Sequence, residues 1–159
     1  RTRPAGAFAP KDRWAMDWYY PVLAGLVTGD PALRHLAEGR RPFTMDGLGV
    51  RCVNDRPWVT TAETCECAMA YLAAGDRASA VALYTWAQAM RVEEGRYLTG
   101  VVHPSGVAFP DRERTTYSAA AVILAADALS EASPAAGLFT HRTGLPEIIE
   151  TEAPVRDLD

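Results

Sequence analysis

Three carboxylates stand where chemistry could be done. Asp17, Glu63 and Glu66 fall in the first turns of stretches that read as helices. Glu63 and Glu66 are three residues apart and so share a helical face. Paired carboxylates at a cavity mouth suit general acid and base work on a glycosidic bond, and equally suit the Mg²⁺ of a diphosphate. The plainer alternative is that acids in a first turn only complement the helix dipole. Aromatic residues gather nearby: Trp18, Tyr19, Trp58, Tyr97 and Tyr117 are the substrate-binding candidates, with Trp14, Tyr20 and Phe109 beside them in the chain. Aromatic faces stack sugars, sheath an isoprenoid chain or stabilise a carbocation, and they also simply pack loops onto helix ends. In the charged run Asp111-Arg112-Glu113-Arg114, Arg112 or Arg114 could hold a diphosphate or a carboxylate, or the run could be a solvated helix cap.

Metal chemistry has little support. Cys52, Cys65, Cys67 and His103 are the soft ligands at hand, but Cys65 and Cys67 lie about 200° apart around a helix. No CxxC or HxxxH spacing appears. We therefore read the cysteines as buried thiols and assign no metal from protein ligands. His35 is expected on a surface helix, His141 in a solvent-facing tail, and His103 in a turn where it could also act as an acid or base.

The elements that must position these residues follow from capping and turn signals. Residues 1–12 read as a loose lead-in. A first helix begins near Arg13 or Trp14 and runs to Thr28, with Gly29 as its stop, unless it starts at Tyr20 with Pro21 in its first turn. A short second helix covers Pro31 to Glu38 and closes at Gly39. Residues 41–58 form a long connection in which LGVRCV could be a strand. The central helix runs from about Val59 to Ala74, and Asp76 caps a fourth from Arg77 to about Val92. A second connection, 93–114, holds YLTGVV and GVAFP around His103-Pro104-Ser105-Gly106, a hairpin pattern. The fifth helix, Thr115 to about Leu129, is apolar all round and is expected to be buried on every side. Residues 132–159 read as an irregular tail.

The first and central helices align without gaps at a spacing of 46, placing Asp17 on Glu63 and Gly29 on Gly75; the fifth aligns at about 55. Repeated helix pairs mean a stacked α-hairpin array, a solenoid or a closed toroid. The totals are ordinary for one folded unit: 159 residues, 48% hydrophobic and 23% charged. A net charge of −4 and a pI near 5.4 argue against nucleic acid or an anionic membrane as main partner. No run is long and apolar enough for a membrane span, and three cysteines suit a reducing, cytoplasmic setting. The chain begins with Arg1, consistent with a processed chain or a piece of a longer one.

The runs DWYYPVLAGL, VRCVNDRPWVTTAETCE and ERTTYSAAAVILAADAL resemble the C-terminal part of actinobacterial proteins commonly labelled prenyltransferase, over roughly residues 14 to 130. The resemblance implies an all-α fold, an α/α-hairpin toroid present as a partial ring over residues 13–131, with short β-hairpin-like loops. Its cavity would bind an isoprenoid-type substrate, with Asp17 and Glu63 near the diphosphate and Mg²⁺ as a possible cofactor. The same shape serves terpenoid cyclases, protein prenyltransferase β subunits and six-hairpin glycosidases. The DxDD and DDxxD motifs and the Gln-Trp signature of such enzymes are absent from this sequence. Two alternatives therefore stand beside the transferase reading. One is a glycosidase-like enzyme acting on an oligosaccharide through paired carboxylates. The other is a non-catalytic scaffold that pairs with a missing N-terminal half or a partner subunit.

Overall fold

The computed structural model describes residues 11–141. Most of the lead-in and of the C-terminal part of the tail lies outside them. The order of elements is α1 (Ala15–Leu23), α2 (Gly29–Phe43), β1 (Thr44–Met45), β2 (Gly49–Arg51), β3 (Trp58–Thr60), α3 (Thr61–Ala73), α4 (Arg77–Ala87), two 3₁₀ turns (Gln88–Met90 and Glu93–Gly95), β4 (Gly100–Val102), β5 (Val107–Phe109) and α5 (Thr116–Ser130).

The strands correct the all-α toroid expectation. They form one antiparallel sheet in the order β1-β2-β3-β4-β5, so the fold is mixed α/β. Both long connections supply strands. What joins them is β3, whose residues read as the start of the central helix. Val50 pairs with Thr60 on one side of β3, and Val59 pairs with Val101 on the other. By that register Val50 and Thr60 lie on one face and Val59 and Val101 on the other; all four are buried, so both faces of the sheet are covered at its centre. Gly100 is required at the β3–β4 crossing, because a Cβ there would sit 2.4 Å from the Val59 carbonyl oxygen.

Helix α3 is the centre of the molecule. It packs against α1, α4, α5 and β2, and every residue from Thr61 to Leu72 is buried. Small side chains (Ala62, Ala68, Ala70) allow that close approach. Its buried hydroxyls are satisfied across elements: Thr64 Oγ1 donates to the Thr60 carbonyl at 2.6 Å and accepts from the Val50 amide at 2.8 Å, and Thr61 Oγ1 donates to the Leu98 carbonyl at 2.7 Å.

Three local expectations also change. α2 does not stop at Gly39. A Cβ there would lie 2.1 Å from the Trp18 ring, so the glycine serves the α1–α2 crossing rather than a terminus. α1 ends at Gly25, with φ +70, and not at Gly29; Pro21 stays inside the helix. α5 is not buried on every side, since Ile123 is 66% exposed and Tyr117 52%.

Candidate active site

Glu66 is the best-held carboxylate in the described structure. It projects from α3 and is 9% exposed. Tyr19 of α1 donates its hydroxyl to Glu66 Oε2 at 2.5 Å, and Tyr117 of α5 donates to Oε1 at 2.5 Å. Each carboxylate oxygen thus has its own donor from a different helix, which fixes the orientation of the group. Burial and the neighbouring Glu66 charge push both phenols above their ordinary value, so both stay protonated donors across the working pH range. Tyr20 lies within electrostatic reach of the same carboxylate, and its phenol is raised by burial and then by Glu66.

A cavity of about 470 Å³ opens between α1, α3 and α5 with Glu66 in its wall. Tyr20 and Tyr117 flank the carboxylate, and the remaining lining is apolar, including Leu23, Met69, Leu124 and Phe139. One carboxylate between aromatic and aliphatic walls is the usual make-up of a small-molecule site.

Glu63 stands one turn earlier on α3 and is also 9% exposed. Burial raises its carboxyl above the ordinary value, and the charge on Glu66 adds to the rise. The Thr60 hydroxyl lies beside it and pulls the other way, although that hydroxyl makes no hydrogen bond of good geometry. Two neighbouring carboxyls in different surroundings can divide acid and base roles. Asp17 is the third residue of α1, as Glu63 is of α3, but its side chain is half-buried and faces Lys11, Nζ to Oδ1 3.7 Å.

The other candidates scatter. Trp18 is in the core, its ring stacked on Phe43 at 5.6 Å and its Nε1 donating to the His35 carbonyl at 3.3 Å. Trp58 belongs to the sheet, stacked on Phe109 at 4.4 Å. Tyr97 donates to Gln88 Oε1 at 2.5 Å, away from Glu66. Arg112 lines a separate cleft with Arg91, Arg96 and Arg114. His35 is not a free surface group, because its Nε2 lies 2.7 Å from the Trp18 carbonyl. His141 also turns inward, its ring against Gly25 and its Nε2 3.3 Å from the Val22 carbonyl. The cysteines are free and buried, and burial pushes the Cys52 thiol to about 11 and Cys65 to about 12. Among the described residues no three His, Cys, Asp or Glu side chains converge to hold a metal ion. Sequence reasoning passes over Tyr20 and the apolar wall as site residues. Tyr20 had a signal, being adjacent to Tyr19. Phe139 had none, because it arrives from the irregular tail.

No family model matches the chain. A curated relative does: MMP endo-(1,4)-3-O-methyl-alpha-D-mannosidase of Mycolicibacterium hassiacum is 47% identical over 146 residues, 92% of this chain. That relative is a glycosidase. The match spans 40% of the relative's own length, so the chain corresponds to less than half of that enzyme. The finding overturns the expected isoprenoid-binding function and the transferase label, and it favours the carbohydrate alternative. Among the described residues no helix is long and apolar enough to cross a membrane.

Proposed function

We propose that this chain is part of a glycoside hydrolase that cleaves α-mannosidic bonds in a methylated oligosaccharide. The observation that carries the reading is the 47% identity to the mannosidase over nearly the whole chain. The geometry supports it in two ways. Glu66 is fixed by two phenols in the wall of a cavity of about 470 Å³, a size suited to a short saccharide. The walls around it are largely apolar, which suits sugar rings whose hydroxyls are capped by methyl groups better than fully hydroxylated ones.

Glycoside hydrolysis needs one carboxyl to protonate the leaving oxygen and another to act as nucleophile or to activate water. Glu63, raised by burial and one turn earlier on α3 than the cavity-lining Glu66, is the second carboxyl for the acid role. Glu66, held through both oxygens by phenol donors, is oriented to act as the nucleophile or as the base that activates water. Tyr20 and Tyr117 form the rim against which a ring would lie. Asp17 is kept as a third carboxyl at the matching depth of α1. The reading places the enzyme in the cytoplasm, where its three thiols stay reduced.

The test is incubation with α-linked mannose oligosaccharides, 3-O-methylated and unmethylated, followed by mass spectrometry of products and of bound complexes. Cleavage or saturable binding of the methylated series, with Glu66→Gln abolishing cleavage while leaving binding, supports the reading. Binding of neither series, or a Glu66→Gln protein with unchanged turnover, overturns it.

A further inference from the structure

A second cleft, distinct from the Glu66 cavity, carries a concentration of positive charge that the mannosidase reading does not use. Its volume is about 410 Å³, and it is lined by Arg91, Val92, Glu93, Arg96, Arg112 and Arg114. Four arginines against one glutamate is an unusual local balance in a chain whose net charge is −4. Packing like charges into one concavity is unfavourable unless an anion completes it.

The backbone presents these arginines deliberately. The segment 91–97 is a tight hairpin: Arg91 bridges to Tyr97, and the Val92 amide donates to the Arg96 carbonyl at 2.7 Å. Gly95, at φ +76, leaves the space in which the Arg91 guanidinium lies. A Cβ there would meet Arg91 Nη2 at 3.3 Å. Across the cleft, Arg112 and Arg114 flank a turn closed by the Glu113 amide donating to the Pro110 carbonyl, and Glu113 itself is not part of the lining. Its carboxylate accepts from Thr99 Oγ1 at 3.1 Å, and the Thr99 amide donates to its carbonyl at 2.9 Å. Glu94 is taken by Arg96 in an ion pair at 2.5 Å. Arg91, Arg112 and Arg114 are left with no ion pair or side-chain hydrogen bond among the described residues.

We propose that this cleft is a binding site for an oxyanion, a carboxylate or phosphate group on a ligand, gripped by Arg91 on one wall and by Arg112 and Arg114 on the other. Planar guanidinium groups offer paired N–H donors that match both oxyanions, and their charge survives at any working pH. The proposal stands apart from the glycosidase reading, since no residue is shared between the two sites.

The test is a calorimetric titration at low ionic strength with inorganic pyrophosphate and with citrate. Three proteins are compared: the unmodified chain, Arg112→Gln/Arg114→Gln, and Arg34→Gln/Arg41→Gln as an exposed control with the same change in charge. Saturable binding that weakens as salt is added, and that falls about tenfold or more in the first double variant but not in the control, is the expected result. Tighter pyrophosphate assigns a phosphate ligand, and tighter citrate a carboxylate. Glu66→Gln should bind the anion as the unmodified chain does, which separates this site from the saccharide cavity. No saturable binding of either anion, or an equal loss in both double variants, overturns the proposal.

Discussion

Helices α3 and α5 look alike in composition and live in different surroundings. α3 carries two glutamates and is buried from Thr61 to Leu72. α5 has a single acid, Asp127, yet it exposes Tyr117, Ile123 and Leu124. The difference is one of neighbours. α3 is enclosed by α1, α4, α5 and β2, whereas α5 packs chiefly on α3, with a smaller contact to α4. Position in the layered structure, not polarity, decides which helix is covered. The costly groups on α3 are tolerated because each has a local answer: phenol donors for Glu66, and for Glu63 a carboxyl that holds its proton more readily.

The sharpest break of this comparison is volume. Ala70, fully buried on α3, should tolerate no enlargement: Ala70→Leu is expected to lose about 3 kcal/mol, against less than about 0.5 kcal/mol for Ala120→Leu on the open side of α5, both read by urea denaturation. Equal losses would mean that the two helices are equally enclosed. Next come the phenols. Tyr19→Phe leaves a buried carboxylate oxygen without its donor and should cost about 2 kcal/mol, whereas at half-exposed Tyr117 water can replace the hydroxyl and Tyr117→Phe should cost about 1 kcal/mol or less.

A subtler effect is pH dependence at Glu63. Its folded-state value is raised above the ordinary 4.5. The stabilisation it gives is therefore complete below 4.5 and is lost as pH rises through the folded value. Glu63→Gln removes the loss, so the variant's Tm should gain on the unmodified protein as pH rises above 4.5. A difference in Tm that stays flat over that range would place Glu63 in an environment no different from water. The smallest effect should be Ile123→Ser, within about 0.5 kcal/mol in the isolated chain, because little apolar area leaves water there on folding.

Helix positions were legible where local signals were complete. Asp76 does cap α4, its side chain accepting from the Ser79 amide at 3.0 Å, and Thr115 caps α5 through the Ser118 amide at 3.2 Å. α2 was misjudged because Gly39 looks like a stop. Its actual reason, the Trp18 ring pressed against it, comes from another helix. The β4–β5 hairpin and β2 were legible in YLTGVV, GVAFP and LGVRCV, but their joining into one sheet through β3 was not, for the same reason. A three-residue strand such as Trp58–Thr60 has no periodicity of its own, and its identity rests on partners as distant as Val102. At the site, Glu63 and Glu66 could be picked out by their spacing, but not which one two phenols would hold. Trp18 and Trp58 were drawn in by residue type alone, and they pack on Phe43 and Phe109 respectively.

The two donors to Glu66 lie 47 residues before it and 51 after it in the chain. Neither belongs to the helix that carries the acid, and each contact closes a long loop that chain entropy opposes. The clamp can form only once α1 and α5 have both docked on α3. On refolding, the carboxylate should therefore acquire its final environment after the helices themselves have formed. A probe at Tyr117 should lag behind the recovery of helical signal.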